Sequence, residues 1–367
     1  MINTLIQRTG VLGCFIVLAV IPASKSVAAD RNLRVEIRVV AEEIAQHLGN
    51  LQEKSVSLGQ FSGLPQLGVT GGPGIAFTLK SELEAAGVEV KVRAKYGIHG
   101  RFRVVRDAQS QTPAMEITAD VVDLQGKVIA KIRRGVFGEG NLIATTGPTA
   151  ELPPEAPPQQ RVQTIVERLE KPAASLQGAM VRSAADSPYG VEILVRTSAD
   201  EDYQVLDPKL LENLAFVGIE RKCSYAVRLS NDSPHDAAVA LFIDGLSMFT
   251  FSEHTEYGHV VIPAGGNALI EGWHRNNEES NQFEVVEYAN SPAARILQNT
   301  STIGTITASF AAAWSGDKDR PDDEPRQEDT ARSANGTGLG KKISKQYDEV
   351  TRCSGVVRSV VSVRYSR

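Results

Sequence analysis

Basic residues, cysteines and long apolar runs are all scarce in this chain. Lysine and arginine number 39 against 44 aspartates and glutamates, which gives a formal net charge of −5. A nucleic-acid-binding protein normally carries a basic face, and the chain has neither a zinc-finger spacing of cysteines nor an RNA-binding aromatic motif. These absences argue against a nucleic-acid partner.

The familiar catalytic signatures are missing too. The sequence has no Gly-x-Ser-x-Gly elbow, no His-Glu-x-x-His pair, no P-loop and no dinucleotide-binding fingerprint. Those local patterns place a nucleophile, a zinc ion or a phosphate. We therefore expect a non-enzymatic protein that needs no cofactor and no metal ion.

What the sequence does contain begins with a leader. Arg8 supplies a positive charge, residues 11–22 form an apolar run, and the small residues 27–29 stand where signal peptidase cleaves. Cleavage there makes Asp30 the first residue of the exported chain. A lipoprotein is disfavoured because Cys14 lies inside the apolar run. The prediction is export to the periplasm or the cell exterior.

The alternative to a cleaved leader is a retained membrane anchor. The apolar run is shorter than the roughly 20 residues that a spanning helix needs. No later stretch of the sequence is long and apolar enough. We therefore expect no transmembrane span after cleavage.

Cysteine usage fits export. Loss of the leader removes Cys14 and leaves Cys223 and Cys353, an even number in an oxidising compartment. We predict a disulfide between these two, which would tie the end of the chain to the start of its second domain. Two unrelated buried thiols are the alternative.

The pattern of helices, strands and linkers predicts an α+β protein: a small N-terminal α/β domain followed by a C-terminal β-sandwich, which the terminal strand closes. Helical spacing over 35–48 and 75–86 and a hairpin across 115–132 define the first domain, and short alternating strands define the second. The expected divisions are 1–29 leader, 30–147 α/β domain, 148–188 proline-rich linker and helix, 189–315 sandwich, 316–340 disordered linker, and 341–367 terminal strand joining the sandwich. A short helix is expected over 292–297.

The first domain resembles a known family. Gly59-Gln60-Phe61, the glycine-rich loop and helix that follow, and the segment 100–105 (Gly-Arg-Phe-Arg-Val-Val) carry the likeness. Together they resemble the small α/β domain of bacterial envelope-assembly proteins: the curli secretion lipoprotein, the flagellar assembly lipoprotein and the amino-terminal domain of TolB. The resemblance implies an assembly role in the envelope.

The second domain resembles a β-sandwich module of secreted bacterial proteins. The segments that carry this likeness are 214–217, 225–229, 243–247, 251–254, 272–274 and 304–306, together with the closing 360–365. With them the chain after the leader is similar to an uncharacterised family of secreted bacterial proteins. The resemblance implies the fold and the export, and it implies no activity.

A glycine-rich loop at 68–74 is the first candidate site. Gly71, Gly72 and Gly74 stand before a predicted helix, where backbone N–H groups could hold an anion or another ligand. A tight turn between a strand and a helix explains the same glycines without any ligand.

Histidines and acidic residues gather in the second domain and suggest two enzyme alternatives. His254, His259 and His274, with Glu271 nearby, have the residue types of a zinc site in a metal-dependent enzyme. Asp244 and Ser247 with His254 have the residue types of a hydrolase triad. Solvent-facing loop residues are the simpler interpretation of both sets.

The most distinctive loop is Trp273-His274-Arg275-Asn276. A tryptophan beside polar groups could stack on a sugar or anchor a protein partner; alternatively Trp273 plugs the end of the sandwich while its neighbours face water. The sequence therefore predicts an exported binding or envelope-assembly protein with a protein partner. A glycan ligand at Trp273 and a secreted hydrolase or metal enzyme are the alternatives.

Overall fold

The computed structural model describes residues 17–20, 27–63, 72–106, 113–136, 138–198, 200–220, 223–254, 256–285, 303–325, 342–344 and 347–366. These residues form four α-helices and three β-sheets, which confirms the predicted α+β class. No helix among them has the length and apolar character that a bilayer crossing requires. The helix expected over 292–297 and most of the linker expected over 316–340 lie outside the described residues.

The N-terminal unit is a five-stranded sheet with helices on one face. A first strand, β1 (Val17–Val20), belongs to the sandwich described below. The unit itself comprises α1 (Val27–Asn50), β2 (Ser55–Ser62), α2 (Gly72–Ala85), β3 (Glu89–Lys91), β4 (Gly97–Arg106), β5 (Pro113–Val122), β6 (Val128–Val136) and α3 (Glu139–Thr146). The strand order is β3-β2-β4-β5-β6, with β2 parallel to both of its neighbours and the other pairs antiparallel.

Helical and strand periodicity explain how this unit closes. The buried residues of α1 recur every three or four positions and pack against the sheet together with those of α2; they include Leu33, Ile37, Val40, Ile44, Leu48, Ile75, Leu79 and Leu83. The predicted hairpin is confirmed, because Met115 of β5 pairs with Val136 of β6. Asp123 stabilises its turn by accepting hydrogen bonds from the N–H groups of Gln125 and Lys127 at 3.0 and 2.9 Å.

The proline-rich segment packs against both units. Strand β7 (Ala150–Glu151) pairs with the last strand of the chain, and α4 (Pro158–Glu170) packs in the same core as α1 and α2. The sequence indicates a spacer here because of its prolines, yet Ala150 and Leu152 are buried. Their burial depends on a partner strand from the far end of the chain, which local composition does not show.

The remaining strands form two facing sheets. They are β8 (Ser175–Gln177), β9 (Met180–Arg182), β10 (Tyr189–Arg196), β11 (Gln204–Val205), β12 (Lys209–Leu211), β13 (Leu214–Gly218), β14 (Ser224–Asn231), β15 (Asp236–Ile243), β16 (Leu246–Ser247), β17 (His259–Ile262), β18 (Gly266–Ile270), β19 (Gly272–His274), β20 (Glu279–Glu284), β21 (Ile303–Trp314), β22 (Lys342–Ser344), β23 (Asp348–Thr351) and β24 (Cys353–Ser366), with a 3-10 helix at Asp317–Asp319. One sheet runs β12-β13-β24-β21-β15-β17-β1-β23, and the other runs β19-β20-β14-β10-β9-β8.

The terminal strand closes the sandwich, as predicted. Strand β24 lies in the interior of its sheet, where Val363 pairs with Ala215 of parallel β13 on one side and with Ile306 of antiparallel β21 on the other. One face of β24 contributes Val361 and Val363 to the core between the two sheets. The other face contributes Val357 and Val360 to the core of the N-terminal unit. The last strand therefore joins the two units.

Candidate functional site

The Trp273 loop is the turn of a tight hairpin formed by β19 and β20. Asn276 shapes the turn, because its Oδ1 accepts hydrogen bonds from the N–H groups of Glu278 and Glu279 at 3.1 and 2.8 Å. At the other end, a Cβ on Gly272 would lie 2.3 Å from the carbonyl oxygen of Asn281. Only glycine fits there, so the sequence sets the register that places His274 opposite Ser280.

His274 is the centre of the site. Its side chain is completely buried, and its ring lies 5.3, 5.5 and 5.0 Å, centroid to centroid, from the rings of Phe249, Tyr257 and Tyr347. Its Nδ1 is 2.9 Å from the hydroxyl of Ser252. Since that hydroxyl donates its own proton to the carbonyl of His254 at 3.0 Å, we assign the proton on His274 to Nδ1.

Burial determines the charge of His274. The pKa of His274 is lowered to about 4, chiefly by removal from water and also by the neighbouring His254, while the Asn277 amide and Glu253 act in the opposite direction. Within the described residues no well-formed hydrogen bond reaches Nε2 of His274 or Oδ1 of Asn277. The ring is therefore neutral at physiological pH. Oδ1 of Asn277 can accept a hydrogen bond from Nε2 of His274 only when that nitrogen carries a proton.

The polar groups around His274 are bonded to one another. The ring of His254 stacks on Tyr257 at 4.7 Å, and the Tyr257 hydroxyl accepts from Asn277 Nδ2 and donates to Glu349, both at 3.2 Å. The hydroxyl of Tyr347 lies 2.9 Å from Ser280, and burial raises the pKa of Tyr347 to about 12. We call this set the His274 cluster: Phe249, Ser252, His254, Tyr257, His274, Asn277, Ser280 and Tyr347.

Trp273 lies on the opposite face of the hairpin from the His274 cluster. Its half-buried ring packs edge-on against Phe251 at 4.8 Å and Phe283 at 5.4 Å. Arg275 pairs with Glu253 at 3.1 Å and with Glu279 at 3.7 Å. The loop residues that the sequence analysis singled out are thus largely bonded within the hairpin and its neighbouring loop.

The histidines of the predicted metal alternative are only partly brought together. The rings of His254 and His274 lie 6.3 Å apart, and His254 Nδ1 is 3.2 Å from Glu256. His259 lies on β17, where burial lowers its pKa to about 4. Across the described part of the chain, no group of three or more histidine, cysteine, aspartate or glutamate side chains has the arrangement of a metal site.

The residues of the hydrolase alternative hold separate structural contacts. Asp244, at a positive φ of 53°, accepts from the backbone N–H of Thr305 at 2.7 Å and from the hydroxyl of Tyr365 at 2.8 Å. Ser247 accepts from the N–H of Phe249 at 3.3 Å. The acidic neighbour of His254 is Glu256, at 3.2 Å from Nδ1.

Cys223 and Cys353 are both free thiols in the structure. Cys353 begins β24, whose other end carries Tyr365, and the ring of Tyr365 lies 6.1 Å from that of Tyr225, close in sequence to Cys223. Twelve residues of strand span about 40 Å. A bridge needs Cα atoms within about 7 Å, so the structure does not contain the predicted disulfide.

The glycine-rich loop falls mainly outside the described residues, and Gly71 is among those not described. Gly72 and Gly74 lie in the first turn of α2.

Long-range packing supplies the residues that the sequence analysis missed. Ser252 and Asn277 lie beside candidate residues without being candidates themselves, Tyr257 carries no signal in the sequence, and Tyr347 lies far along the chain from His274. No local pattern joins them, because the contact depends on the pairing of β22, just before Tyr347, with β20, which carries Ser280.

Comparison with known proteins adds no relative: no protein-family model, no curated protein and no solved structure matches the chain.

Proposed function

We propose that this chain is an exported, non-enzymatic protein of the cell envelope, that its leader 1–29 is removed, and that it binds a protein partner. The candidate catalytic side chains support a binding role, since Asp244, Ser247 and His254 each stabilise a turn or a loop. The leader pattern supports export.

One observation carries the binding proposal: the edge hairpin formed by β12 and β13 leaves leucines exposed. Leu210 and Leu211 are 41% and 56% exposed, on the outermost strand of their sheet. The hairpin has a tight turn, because Glu212 and Asn213 take positive φ values of 50° and 62°, as a two-residue type I′ turn requires.

An exposed apolar edge is a docking feature. An outermost strand has free backbone N–H and C=O groups that can pair with an added strand. Proteins usually protect such an edge with charged side chains. On β12 the single charge of Lys209 is followed by two exposed leucines. We assign the edge to an extended segment of the partner protein.

Affinity capture from the cell envelope tests the proposal. The tagged exported protein is compared with a Leu210→Ser/Leu211→Ser variant and with a control, Leu124→Ser, whose leucine is 74% exposed on the β5–β6 turn. We expect one stoichiometric protein that is captured by the native chain and the control and is lost with the double variant. Equal capture by all three chains, or capture of glycan alone, would contradict the proposal.

A further inference from the structure

Strand β1 occupies a position inside a sheet, and the proposed export removes it. Val17, Leu18 and Ala19 pair antiparallel with Val261, Val260 and His259 of β17. On its other side β1 pairs in parallel with β23, from Val17 opposite Asp348 to Val20 opposite Thr351. Cleavage before Asp30 would therefore leave a gap one strand wide, about 9–10 Å, between β17 and β23.

The strands on either side of this gap are held by other contacts. On one side, β17 pairs with β15 along Ala237 to Val239. On the other side, β23 is fixed at three points: buried Tyr347 bonds Ser280, Glu349 accepts from Tyr257 at 3.2 Å, and Arg352 lies 3.3 Å from Asp236. None of these contacts involves β1, so they remain available to hold β17 and β23 in place when β1 is absent.

The surroundings of the gap select an apolar occupant. All four residues of β17 are buried, and Val261 forms a small apolar cluster with Ala238 and Ala313, against which Val350 of β23 packs. Unpaired backbone groups beside such apolar surface are unfavourable. An extended apolar strand both pairs these backbone groups and covers the apolar surface. In the full-length protein the chain's own apolar segment Val17–Val20 occupies the position.

We propose that the gap between β17 and β23 is a strand-acceptor site in the exported protein. It takes an extended apolar segment of a partner polypeptide that runs antiparallel to β17 and parallel to β23. This inference rests on the proposed export and cleavage, and it assigns a second partner site, separate from the β12 edge.

The test uses the protein recovered after export of the full-length precursor. Its mass shows whether residues 1–29 are gone. Binding of a fluorescent peptide covering residues 15–22, with lysines added at both ends for solubility, is then measured by anisotropy. The matched peptide carries Leu18→Pro, which removes a backbone donor from the strand.

Register is tested by cross-linking. A peptide with Val17→Cys is mixed with exported protein carrying Val261→Cys, its register partner, and the control peptide carries its cysteine at Leu18, one position away. A second protein variant, Val350→Cys, is paired with an Ala19→Cys peptide, in case Val261→Cys impairs folding.

We expect one peptide bound per chain, about tenfold weaker binding of the proline peptide, and cross-linking that favours the matched positions. A folded, cleaved protein that binds neither peptide, or binds both equally, would overturn the acceptor site and leave the proposed export intact. Dimerisation that excludes the peptide would assign the gap to a second copy and overturn the partner assignment. Recovery of a chain that retains residues 1–29 would overturn both proposals.

Discussion

Acidification provides the sharpest test of the His274 cluster. In the unfolded chain a histidine takes up a proton near pH 6.5, whereas in the folded chain His274 does so only near pH 4 because it is buried. Between these values the unfolded state binds more protons than the folded state. The free energy of unfolding therefore falls as pH falls through this window, and the contribution of His274 is fully present only above pH 6.5.

The size of the effect follows from the two pKa values. Each pKa unit corresponds to about 1.4 kcal/mol, so the full shift is worth about 3 kcal/mol. Between pH 7 and pH 5, the part of the window that is accessible without extensive carboxylate protonation, the expected loss is about 2 kcal/mol.

A His274→Asn variant isolates this contribution. Asparagine can still reach Ser252 from the position of Nδ1, and it does not titrate. His259, whose pKa burial also lowers to about 4, acts with the same sign in both chains and cancels in their difference. Urea unfolding followed by tryptophan fluorescence at pH 7, 6 and 5 gives the free energy of unfolding of each chain.

We expect the native chain to lose about 2 kcal/mol more than the variant between pH 7 and pH 5. At pH 7 the native chain should be the more stable of the two. Parallel pH profiles would refute the reasoning, because they would mean that His274 is hydrated, or already charged, in the folded protein.

Three further predictions concern the junction of the two units and the cysteines. Gly147→Ala should lower the free energy of unfolding by about 2–4 kcal/mol, since Gly147 has a φ of 54° and a Cβ there would lie 2.8 Å from Thr307 Oγ1. The control is Gly126→Ala, where φ is 78° and a Cβ would meet nothing within 4 Å. It should lower the free energy of unfolding by only about 1 kcal/mol. Glu139→Ala should lower the free energy of unfolding, measured in urea, by about 3 kcal/mol, because it removes the counter-charge of Arg161. Arg161 is 3% exposed and binds both Glu139 oxygens at 2.6 and 2.7 Å. Glu116→Ala, which breaks the exposed pair with Arg103, should cost less than about 1 kcal/mol, and equal losses for the two variants would contradict the argument. A chain that lacks residues 1–29 should titrate two thiols in denaturant without reductant, and in the native protein half-buried Cys353 should react before buried Cys223. A chain without free thiols would show that the two cysteines are bridged.

Much of the secondary structure could be read from local pattern. The alternation of Met115, Ile117 and Ala119 against polar neighbours, followed by the Asp123–Gly126 turn, was enough to identify a hairpin, because each interaction lies within about twenty residues. The same is true of the amphipathic helix in α1 and of the alternating strands in the second unit. Local periodicity depends only on neighbouring side chains and the geometry of one helix or strand. It can therefore be recognised without knowledge of the fold.

The candidate site was predicted less completely. The loop at Trp273 was singled out as a candidate site, but His274 was expected to face a ligand or solvent, and the structure buries it among three aromatic rings. Burial of a histidine depends on what packs above it. Here Tyr347 does so, and it is supplied by a segment much later in the chain.

By itself the sequence determined the α+β class, the order of the two units and the strand that closes the second, because alternation and helical spacing are local properties. Only the tertiary structure decided which strands are neighbours, and with that the neutral state of His274, the separation of Cys223 from Cys353 along β24, and the position of β1 between β17 and β23. Strand pairing is set by the sum of many contacts between distant segments. A sheet can therefore bring together residues whose sequence positions carry no trace of the contact.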